Sequence, residues 1–220
     1  MKKTAGVFLV LAAQFALAQA TRNVGSFSSI KVYDKIKVTL IESDKSRVEL
    51  NADNSDLETV NKNGELKIRM APAKVLQGDQ ISVKVYYEKL NDVQASQGST
   101  VSSDDTVESP MLTLISNEGS KINLKVAAGR LNIKINSGGE IKVSGRAENQ
   151  DVIVNSGGKY HSKMVESQLV TVTANAGGFA EVNAAESVSA TTRAGGIIDV
   201  YGDPEDRTVK NVIGGKINFK

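Results

Sequence analysis

The sequence predicts an all-β protein, a right-handed parallel β-helix (β-solenoid) with rungs of roughly 18–21 residues. The first observation is a set of glycines that recur at intervals of 18 to 21 residues. These glycines are Gly98, Gly119, Gly139, Gly158, Gly178, Gly196 and Gly215, of which the last five are each the second member of a Gly-Gly pair. Such regular self-similarity is typical of a repeat architecture.

The second observation is a period-two apolar pattern within each repeat, which indicates strands with one buried face. The apolar residues two and four places after the second glycine are Ile141 and Val143, Ala180 and Val182, Ile198 and Val200, and Ile217 and Phe219. We interpret each rung as two short strands joined by a glycine corner and by a looser polar turn such as residues 144–151 or 202–207. Only stacked copies of such strands bury their apolar faces, and parallel crossovers favour a right-handed coil.

The glycines fit this architecture because a sharp corner requires positive φ or close backbone approach at the same place in every rung. The solenoid is predicted over residues 90–220. Residues 21–89 are predicted to form a β-rich N-terminal capping zone that is continuous with it, because a solenoid end otherwise exposes unpaired strands. Within this zone we expect strands in residues 27–43, 47–52, 65–71 and 81–87, and a short helix beginning at Asn54.

Residues 1–20 have the features of a cleaved secretory signal peptide. Lys2 and Lys3 precede an apolar run, and the segment ends in the small-x-small triplet Ala18-Gln19-Ala20. No later stretch is long enough to span a bilayer as a helix. We therefore expect an exported protein that does not span the membrane and that is periplasmic, on the outer surface or secreted.

Charge and composition exclude several functional classes. Removal of Lys2 and Lys3 with the leader leaves 25 acidic and 25 basic residues, so the mature chain has no formal net charge and no basic run for nucleic acid. The chain has one histidine, no cysteine, no GxSxG motif and no phosphate-binding loop. We expect no catalytic residues and no cofactor.

One column of side chains is a candidate metal or acid–base site. Three places after the second glycine, successive rungs carry Lys142, His161, Glu181, Asp199 and Asn218. Stacked rungs lie about 4.8 Å apart, so His161, Glu181 and Asp199 have a spacing suited to a divalent metal. An exposed ladder of mixed charge explains the same residues, and we favour that interpretation.

Two further sets of residues allow both a binding and a structural interpretation. Asn136, Asn155 and Asn175 recur two places before the first glycine of three pairs, either as a polar ligand groove or, as we expect, as a stacked amide ladder. Tyr33, Tyr86 and Tyr87 would form a sugar platform, but adjacent strand residues face opposite ways, so one of the pair is expected in the core.

Asp104 and Asp105 resemble a calcium-binding loop in composition. They have neither the glycine nor the terminal glutamate of an EF-hand, and no nonapeptide calcium repeat surrounds them. We therefore expect a solvated turn at this point.

The opening FSSIKVYDKIKVTLIE, the segments NSDLETV and GELKIRM, and the NSGG, NAGG, RAGG and IGG rungs behind a signal peptide together resemble the head GIN domain family. Proteins of this family are regarded as auto-transporter adhesins of Gram-negative bacteria. The resemblance covers nearly all of the mature chain. It implies an exported β-helical protein with an adhesive role, and it brings no catalytic or binding residues with it.

The function that these features favour is that of an exported, non-enzymatic cell-envelope or surface protein. It would bind a surface glycan or protein through a rigid β-helix face. A structural protein that self-associates through its last rung, where Ile217 and Phe219 lie, is the second hypothesis. A carbohydrate-active β-helix enzyme is the third hypothesis. It ranks last because such an enzyme needs clustered carboxylates in one groove, and the fold alone does not supply them.

Overall fold

The computed structural model of the chain describes residues 20–50 and 56–220. These residues form sixteen strands and one short 3₁₀ helix, Pro72–Gln80. The strands are β1 (Ala20–Asn23), β2 (Ser29–Val32), β3 (Lys37–Glu42), β4 (Arg47–Leu50), β5 (Leu57–Lys62), β6 (Glu65–Met70), β7 (Ser82–Tyr87), β8 (Asp92–Ala95), β9 (Thr100–Ser116), β10 (Lys121–Ile135), β11 (Glu140–Val154), β12 (Lys159–Asn175), β13 (Phe179–Arg193), β14 (Ile197–Tyr201), β15 (Asp206–Val212) and β16 (Lys216–Phe219).

The strands stack as parallel rungs of about 19 residues and form a β-solenoid of about seven turns, which confirms the predicted architecture. Strand β10 pairs with β11 in one unbroken register from Lys121↔Glu140 to Ile135↔Val154. Inward-facing apolar residues of successive rungs join in one core cluster, which extends along the chain from Phe27 to Val200 and against which Ile217 of the last rung packs partly buried. Each rung therefore shares one continuous core with its neighbours above and below.

The second bend of each rung differs from the prediction. Residues 144–151 were expected to form a polar turn, but they lie inside β11 and continue to pair, with Ser144 opposite Lys125 and Ala147 opposite Ala128. Gly145 has a φ of 115°, and a Cβ there would lie 2.1 Å from the Val126 carbonyl oxygen. A glycine thus lets the strand bend without losing its ladder. At the other predicted turn, residues 202–205 do separate β14 from β15.

The two glycines of each corner have different roles. At the corner between β10 and β11, Ser137 and Gly138 both have positive φ, 51° and 72°, which is the pattern of a type I′ turn. The following Gly139 has no positive φ, but a Cβ there would lie 2.5 Å from the Ser116 carbonyl oxygen. The first glycine therefore provides the turn, and the second allows the close approach of the neighbouring rung.

The register of the first two glycines was predicted wrongly by one residue. The Gly119 amide donates to the Ser137 carbonyl, as the Gly138 amide donates to that of Ser156, so Gly119 is equivalent to the first glycine of a pair. The close-approach position of that rung is Ser120, whose hydroxyl donates to the Ala95 carbonyl at 2.7 Å. A serine is accommodated there because its hydroxyl makes a hydrogen bond with the neighbouring rung.

The N-terminal zone contains rungs as well as capping strands. Strand β2 pairs in parallel with β6 and β8, and β3 pairs in parallel with β7 and β9. Beyond these rungs, β5 runs antiparallel to β6, β4 antiparallel to β7, and β1 antiparallel to β4. The antiparallel strands cover this end of the parallel stack, which is one of the ways in which proteins protect sheet edges.

The helix predicted from Asn54 is wrong for the part of that segment that the structure describes. Residues Leu57–Lys62 form β5, which pairs with β6 across a turn in which Asn63 and Gly64 have φ of 55° and 78°. An Asn-Gly turn between two extended segments is a strong hairpin signal, and it outweighs the helical preference of the preceding residues. Asn54 and Ser55 lie outside the described residues.

The predicted signal peptide lies outside the described residues except for Ala20, the first residue of β1. In the part of the chain that the structure covers, no helix has both the length and the apolar character needed to cross a membrane.

Candidate binding face

The column predicted from the glycine spacing has the expected register. Asn123 lies opposite Lys142, Lys142 opposite His161, His161 opposite Glu181, and Glu181 opposite Asp199. These side chains project outward, because the preceding residues in their strands, such as Ile141 and Tyr160, are buried and adjacent strand residues face opposite ways.

His161 and Glu181 form a close pair at the centre of this column. The imidazole Nδ1 lies 2.5 Å from the Glu181 carboxylate oxygen Oε2, with side-chain exposures of 31% and 22%. The ring of Phe179 lies 5.7 Å from the imidazole, tilted by 52°. The imidazole is therefore held between a carboxylate and an aromatic ring, and it keeps one edge open to solvent.

Tyr201 and Lys163 extend this patch. The Tyr201 hydroxyl donates to Glu181 Oε1 at 3.4 Å, and the Lys163 ammonium lies 4.3 Å from the centre of the tyrosine ring. Desolvation and then the carboxylates of Glu181 and Asp199 raise the pKa of the Tyr201 phenol, so it remains a neutral donor. We call the five residues His161, Lys163, Phe179, Glu181 and Tyr201 the His161 face.

Asp199 is engaged by the next rung rather than by His161. Its carboxylate accepts a hydrogen bond from the Asn218 amide at 2.7 Å and lies 3.7 Å from the Lys220 ammonium. Within residues 20–50 and 56–220, no group of three or more His, Asp or Glu residues is arranged to hold a metal ion. The column is thus divided into a His161–Glu181 pair and an Asp199–Asn218 pair.

An open cavity of about 380 Å³ lies beside His161. It exists where β12 carries one more residue than β11, between the pairs Lys142↔His161 and Ser144↔Met164. Met164 is 73% exposed at its rim, and Lys163 also lines it. The bulge therefore places an apolar side chain and a cation next to the His161–Glu181 pair, as bulges beside functional sites commonly do.

The asparagine ladder is confirmed. Asn136 donates to Asn117 Oδ1 at 2.8 Å, Asn155 to Asn136 at 2.9 Å, and Asn175 to Asn155 at 2.8 Å. The ladder begins one rung earlier than predicted, because Asn117 accepts the bond from Asn136; Asn117 in turn donates to the Ser96 hydroxyl at 3.3 Å. These amides hydrogen-bond to one another along the axis, so the ladder holds corners together, as expected for the structural interpretation.

The tyrosines of the N-terminal zone are not placed as one platform. The Tyr86 hydroxyl donates to Glu49 at 2.9 Å, and the Arg47 guanidinium lies 3.4 Å from the centre of its ring. Tyr87 is buried, as expected for one of two adjacent strand residues. Burial, followed by the charges of Glu42 and Asp105, raises the pKa of Tyr87 to about 12.

The solvated turn expected at Asp104 and Asp105 is a bulge within β9. The register to β10 shifts here, from Ser102↔Asn123 to Thr106↔Lys125. Asp105 Oδ2 accepts a hydrogen bond from the Glu42 amide at 3.4 Å, so the bulge also contacts β3.

A buried polar network was not predicted from the sequence. Gln150 is 1% exposed; its Oε1 accepts from the Tyr160 hydroxyl at 2.7 Å, and its Nε2 donates to the Ser167 hydroxyl at 2.7 Å. The Ser162 hydroxyl completes the network at 3.3 Å from Gln150 Oε1. The available signal was Gln150 at an inward position two places before Val152 and four places before Val154, where a polar residue needs a buried partner.

The comparisons with known proteins agree with this fold. The family described as "putative auto-transporter adhesin, head GIN domain" matches residues 26–204. A solved structure from Bacteroides fragilis, described as a "putative adhesin", is 17% identical, has a TM-score of 0.86, and the match covers 94% of this chain and 98% of that one.

Two proteins from Parabacteroides distasonis have the same fold. One, described as a "putative adhesin", is 20% identical with a TM-score of 0.73, and the match covers 92% of this chain and 96% of that one. The other, described as a "putative lipid binding protein", is 15% identical with a TM-score of 0.69 and the same coverage of 92% and 96%. No curated protein matches the chain.

The family match covers most of the chain and includes the capping strands β4 and β5 and the glycine-cornered rungs as far as β14. The protein therefore belongs to the head GIN domain family of adhesin-like β-solenoid proteins.

Proposed function

We propose that this protein is an exported, non-enzymatic binding protein that presents the His161 face to a glycan or a protein at a cell surface. The observation that carries the proposal is the combination, on one outward surface, of aromatic rings, a carboxylate and a cation beside an open cavity. The predicted leader and the adhesin description of the family support export and a binding role.

The chemistry of the His161 face suits a hydroxyl-rich or amphipathic ligand. Phe179 and Tyr201 offer ring surfaces, and Glu181 accepts hydrogen bonds from donors placed over the cavity. His161, Phe179 and Glu181 each pair in register with a residue on both neighbouring rungs, so their backbone loses little entropy when a ligand binds. Such preorganisation favours recognition.

The absence of catalysis is part of this proposal. Glycosidic bond cleavage by paired carboxylates needs one free acid and one free base or nucleophile on either side of the bond. Glu181, on the His161 face, contacts His161 and Tyr201, whereas Asp199, the next carboxylate of the column, contacts Asn218 and Lys220. Neither carboxylate is therefore a free acid or base, whereas the Glu181 oxygens keep further lone pairs for a ligand donor, which favours binding over hydrolysis.

A glycan and host-matrix array, probed with the purified chain in the presence and absence of calcium, tests this function. A reducing-end assay on the same polysaccharides runs beside it. We expect saturable binding without release of reducing ends. Release of reducing ends would overturn the non-enzymatic proposal, and a blank array with intact, folded protein would count against the binding proposal.

A second candidate function is structural self-association through the last rung. Among the described strands, β15 pairs only with β13 and β16 only with β14, so each has one open edge. Ile213 is 82% exposed and Phe219 is 37% exposed beside these edges. Light scattering at increasing protein concentration tests this candidate, since a monomeric mass throughout would eliminate it.

A further inference from the structure

The bulge of β12 beside the His161 face is wider against β13 than against β11. Between two pairs that keep their register, the five residues 162–166 of β12 lie opposite only two residues of β13, 182–183. Lys163 and Met164 are consecutive and both exposed, whereas a regular strand would turn one of them towards the core. The bulge therefore supplies two neighbouring side chains to the rim of the cavity beside His161.

A buried amide holds this bulge from the inside. Gln150 Nε2 donates to the hydroxyl of Ser167, just after the bulge, at 2.7 Å. Gln150 Oε1 lies 3.3 Å from the hydroxyl of Ser162, at the start of the bulge, and this hydroxyl also donates to the Glu181 carbonyl oxygen at 2.8 Å. One side chain of β11 thus joins both ends of the bulge and, through Ser162, the main chain of the His161 face.

The place of Gln150 in the core indicates that its network serves the bulge. In register, Gln150 lies between Leu131 and Val170, so an apolar side chain fits this column of the core. Ser167 likewise lies between two alanines of the neighbouring rungs. A buried amide costs free energy of desolvation unless it is paired, and a fully paired network favours a single local conformation. Polar residues at these two positions therefore fix the shape of β12 where apolar residues would not.

A second amide holds the bulge from the outside. Asn183 Nδ2 donates to the main-chain carbonyl of Lys163 at 3.1 Å. Asn183 lies opposite Tyr201 in register, and the Lys163 ammonium lies 4.3 Å from the centre of the Tyr201 ring. The main chain of Lys163 is therefore held by β13, and its side chain lies over a ring of β14.

We infer that Gln150 and Asn183 are positioning residues of the His161 face. They hold the β12 bulge from its two sides, so that Lys163 and Met164 stay at the rim of the cavity in the arrangement that a ligand meets. Gln150 is buried and acts only through the bulge. The inference rests on the proposed function, because this positioning affects binding only where the face binds a partner.

The first measurement needs no ligand. In methyl NMR spectra of the purified chain, Met164 reports on the bulge, and the methionines of β6 and β9 are internal references. Gln150→Leu and Asn183→Ala should each shift the Met164 methyl resonance and speed hydrogen exchange at the amides of residues 163–166 about tenfold. The reference resonances should stay in place.

Asn61→Ala is the matched control. The Asn61 amide donates to the Val24 carbonyl at 2.8 Å, so this variant loses the same kind of side-chain-to-main-chain bond, but in the N-terminal zone. It should leave the Met164 resonance and the exchange of the bulge amides unchanged. Circular dichroism establishes that each variant is folded. Asn183→Ala keeps the test decisive if Gln150→Leu does not fold, because Asn183 is only partly buried.

The second measurement is the glycan and host-matrix array, probed with the parent chain and the three variants. On the spots that the parent binds, the signal should fall about tenfold for Gln150→Leu and Asn183→Ala and stay unchanged for Asn61→Ala. A fall that is equal in all three variants would show a general loss of stability and overturn the inference.

Two further results would each overturn it. One is an unchanged Met164 resonance with unchanged exchange in the folded variants at Gln150 and Asn183, and the other is a displaced bulge with unchanged array signals. A blank array with the parent chain would count against the proposed function, and the methyl shifts would still decide whether the two amides position the bulge.

Discussion

The side-chain amides at the corners connect rungs that backbone ladders already hold in register. Each asparagine of the ladder donates to the one before it, so the amides run in one direction from Asn175 to Asn117. A residue in the middle of the row makes two such bonds and a residue at the end makes one. Substitutions in the row therefore have effects that depend on position.

Asn155→Ala removes two amide–amide hydrogen bonds and leaves Asn136 and Asn175 without their partner. We expect a loss of about 1–2 kcal/mol in the free energy of unfolding, and a melting temperature lower by about 2–8 °C. Thermal unfolding followed by circular dichroism measures this. Asn123→Ala, at an exposed outward position, is the control, and equal melting of the two variants would refute the ladder's contribution.

Arg193→Asn should extend the ladder by one rung. Asn175 is opposite Arg193, and its Oδ1 is buried without a hydrogen-bond partner among the described residues. An asparagine at 193 would supply the missing donor and raise the free energy of unfolding by about 1 kcal/mol. Arg193→Ala separates this gain from the loss of the arginine; if Asn and Ala melt alike, the new bond does not form.

Tyr87 carries the other buried atom without a partner among the described side chains, its phenolic oxygen. Its pKa is raised from an ordinary 10 to about 12, so the folded state favours the neutral phenol. Stability from this group is fully present below pH 10 and is lost as the pH rises towards 12.

Tyr87→Phe should raise the free energy of unfolding by about 1 kcal/mol at pH 7, because an unsatisfied polar atom leaves the core. It should also reduce the loss of stability between pH 10 and 12. Urea unfolding at a series of pH values measures both effects. A variant that is less stable than the parent at pH 7 would show that the hydroxyl has a partner.

Among the elements, the corners were largely predictable and the bends were not. Paired glycines and alternating apolar residues are local signals, and they located the corners and the inward faces of the long strands. The bend at residues 144–151 looked like a turn because it is polar, but Gly145 lets the backbone bend while its ladder continues. Strand pairing across rungs decides that outcome, and composition does not reveal it.

The first glycine of a corner should respond to substitution differently from the second, as Gly157 (a first glycine) and Gly178 (a second glycine) illustrate. A Cβ at Gly178 would lie 2.6 Å from the Val154 carbonyl oxygen, whereas none of the described atoms lies within 4 Å of a Cβ at Gly157. Gly178→Ala should therefore cost about 2–3 kcal/mol of stability. Gly157→Asn should cost less than about 0.5 kcal/mol, because asparagine tolerates positive φ. Chemical denaturation of both variants tests this; a reversed order would contradict the assigned roles.

At the scale of the whole molecule, the order in which the rungs of the N-terminal zone stack could not be predicted from the sequence. The rung of β2 and β3 lies between the rung of β6 and β7 and that of β8 and β9, so the spatial order of the rungs is not their order in the chain. No periodicity exposes such an insertion. The predicted strands at Lys37–Glu42 and Ser82–Tyr87 exist, but only the structure shows that they are neighbours.

Only the register of the candidate site was predicted from the sequence, because its side-chain contacts, like the rung order, depend on how the rungs stack. The register of His161, Glu181 and Asp199 followed from regular glycine spacing. The division of this column into two pairs depends on the contacts that Asn218 and Lys220 make with Asp199. The position of Tyr201 depends on the direction of its side chain, and that of Lys163 depends on a bulge in β12. These contacts become visible only when the rungs are stacked.

The central claim is that the His161 face binds a partner, and the most direct test is a dissociation constant measured on the strongest ligand of the array. Glu181→Gln keeps the shape of the side chain and removes its charge, and Glu118→Gln makes the same change at an exposed corner away from this face. We expect Glu181→Gln to raise the dissociation constant at least tenfold while Glu118→Gln leaves it unchanged. Equal affinity of the two folded variants would contradict the claim and place the partner on another surface of the solenoid.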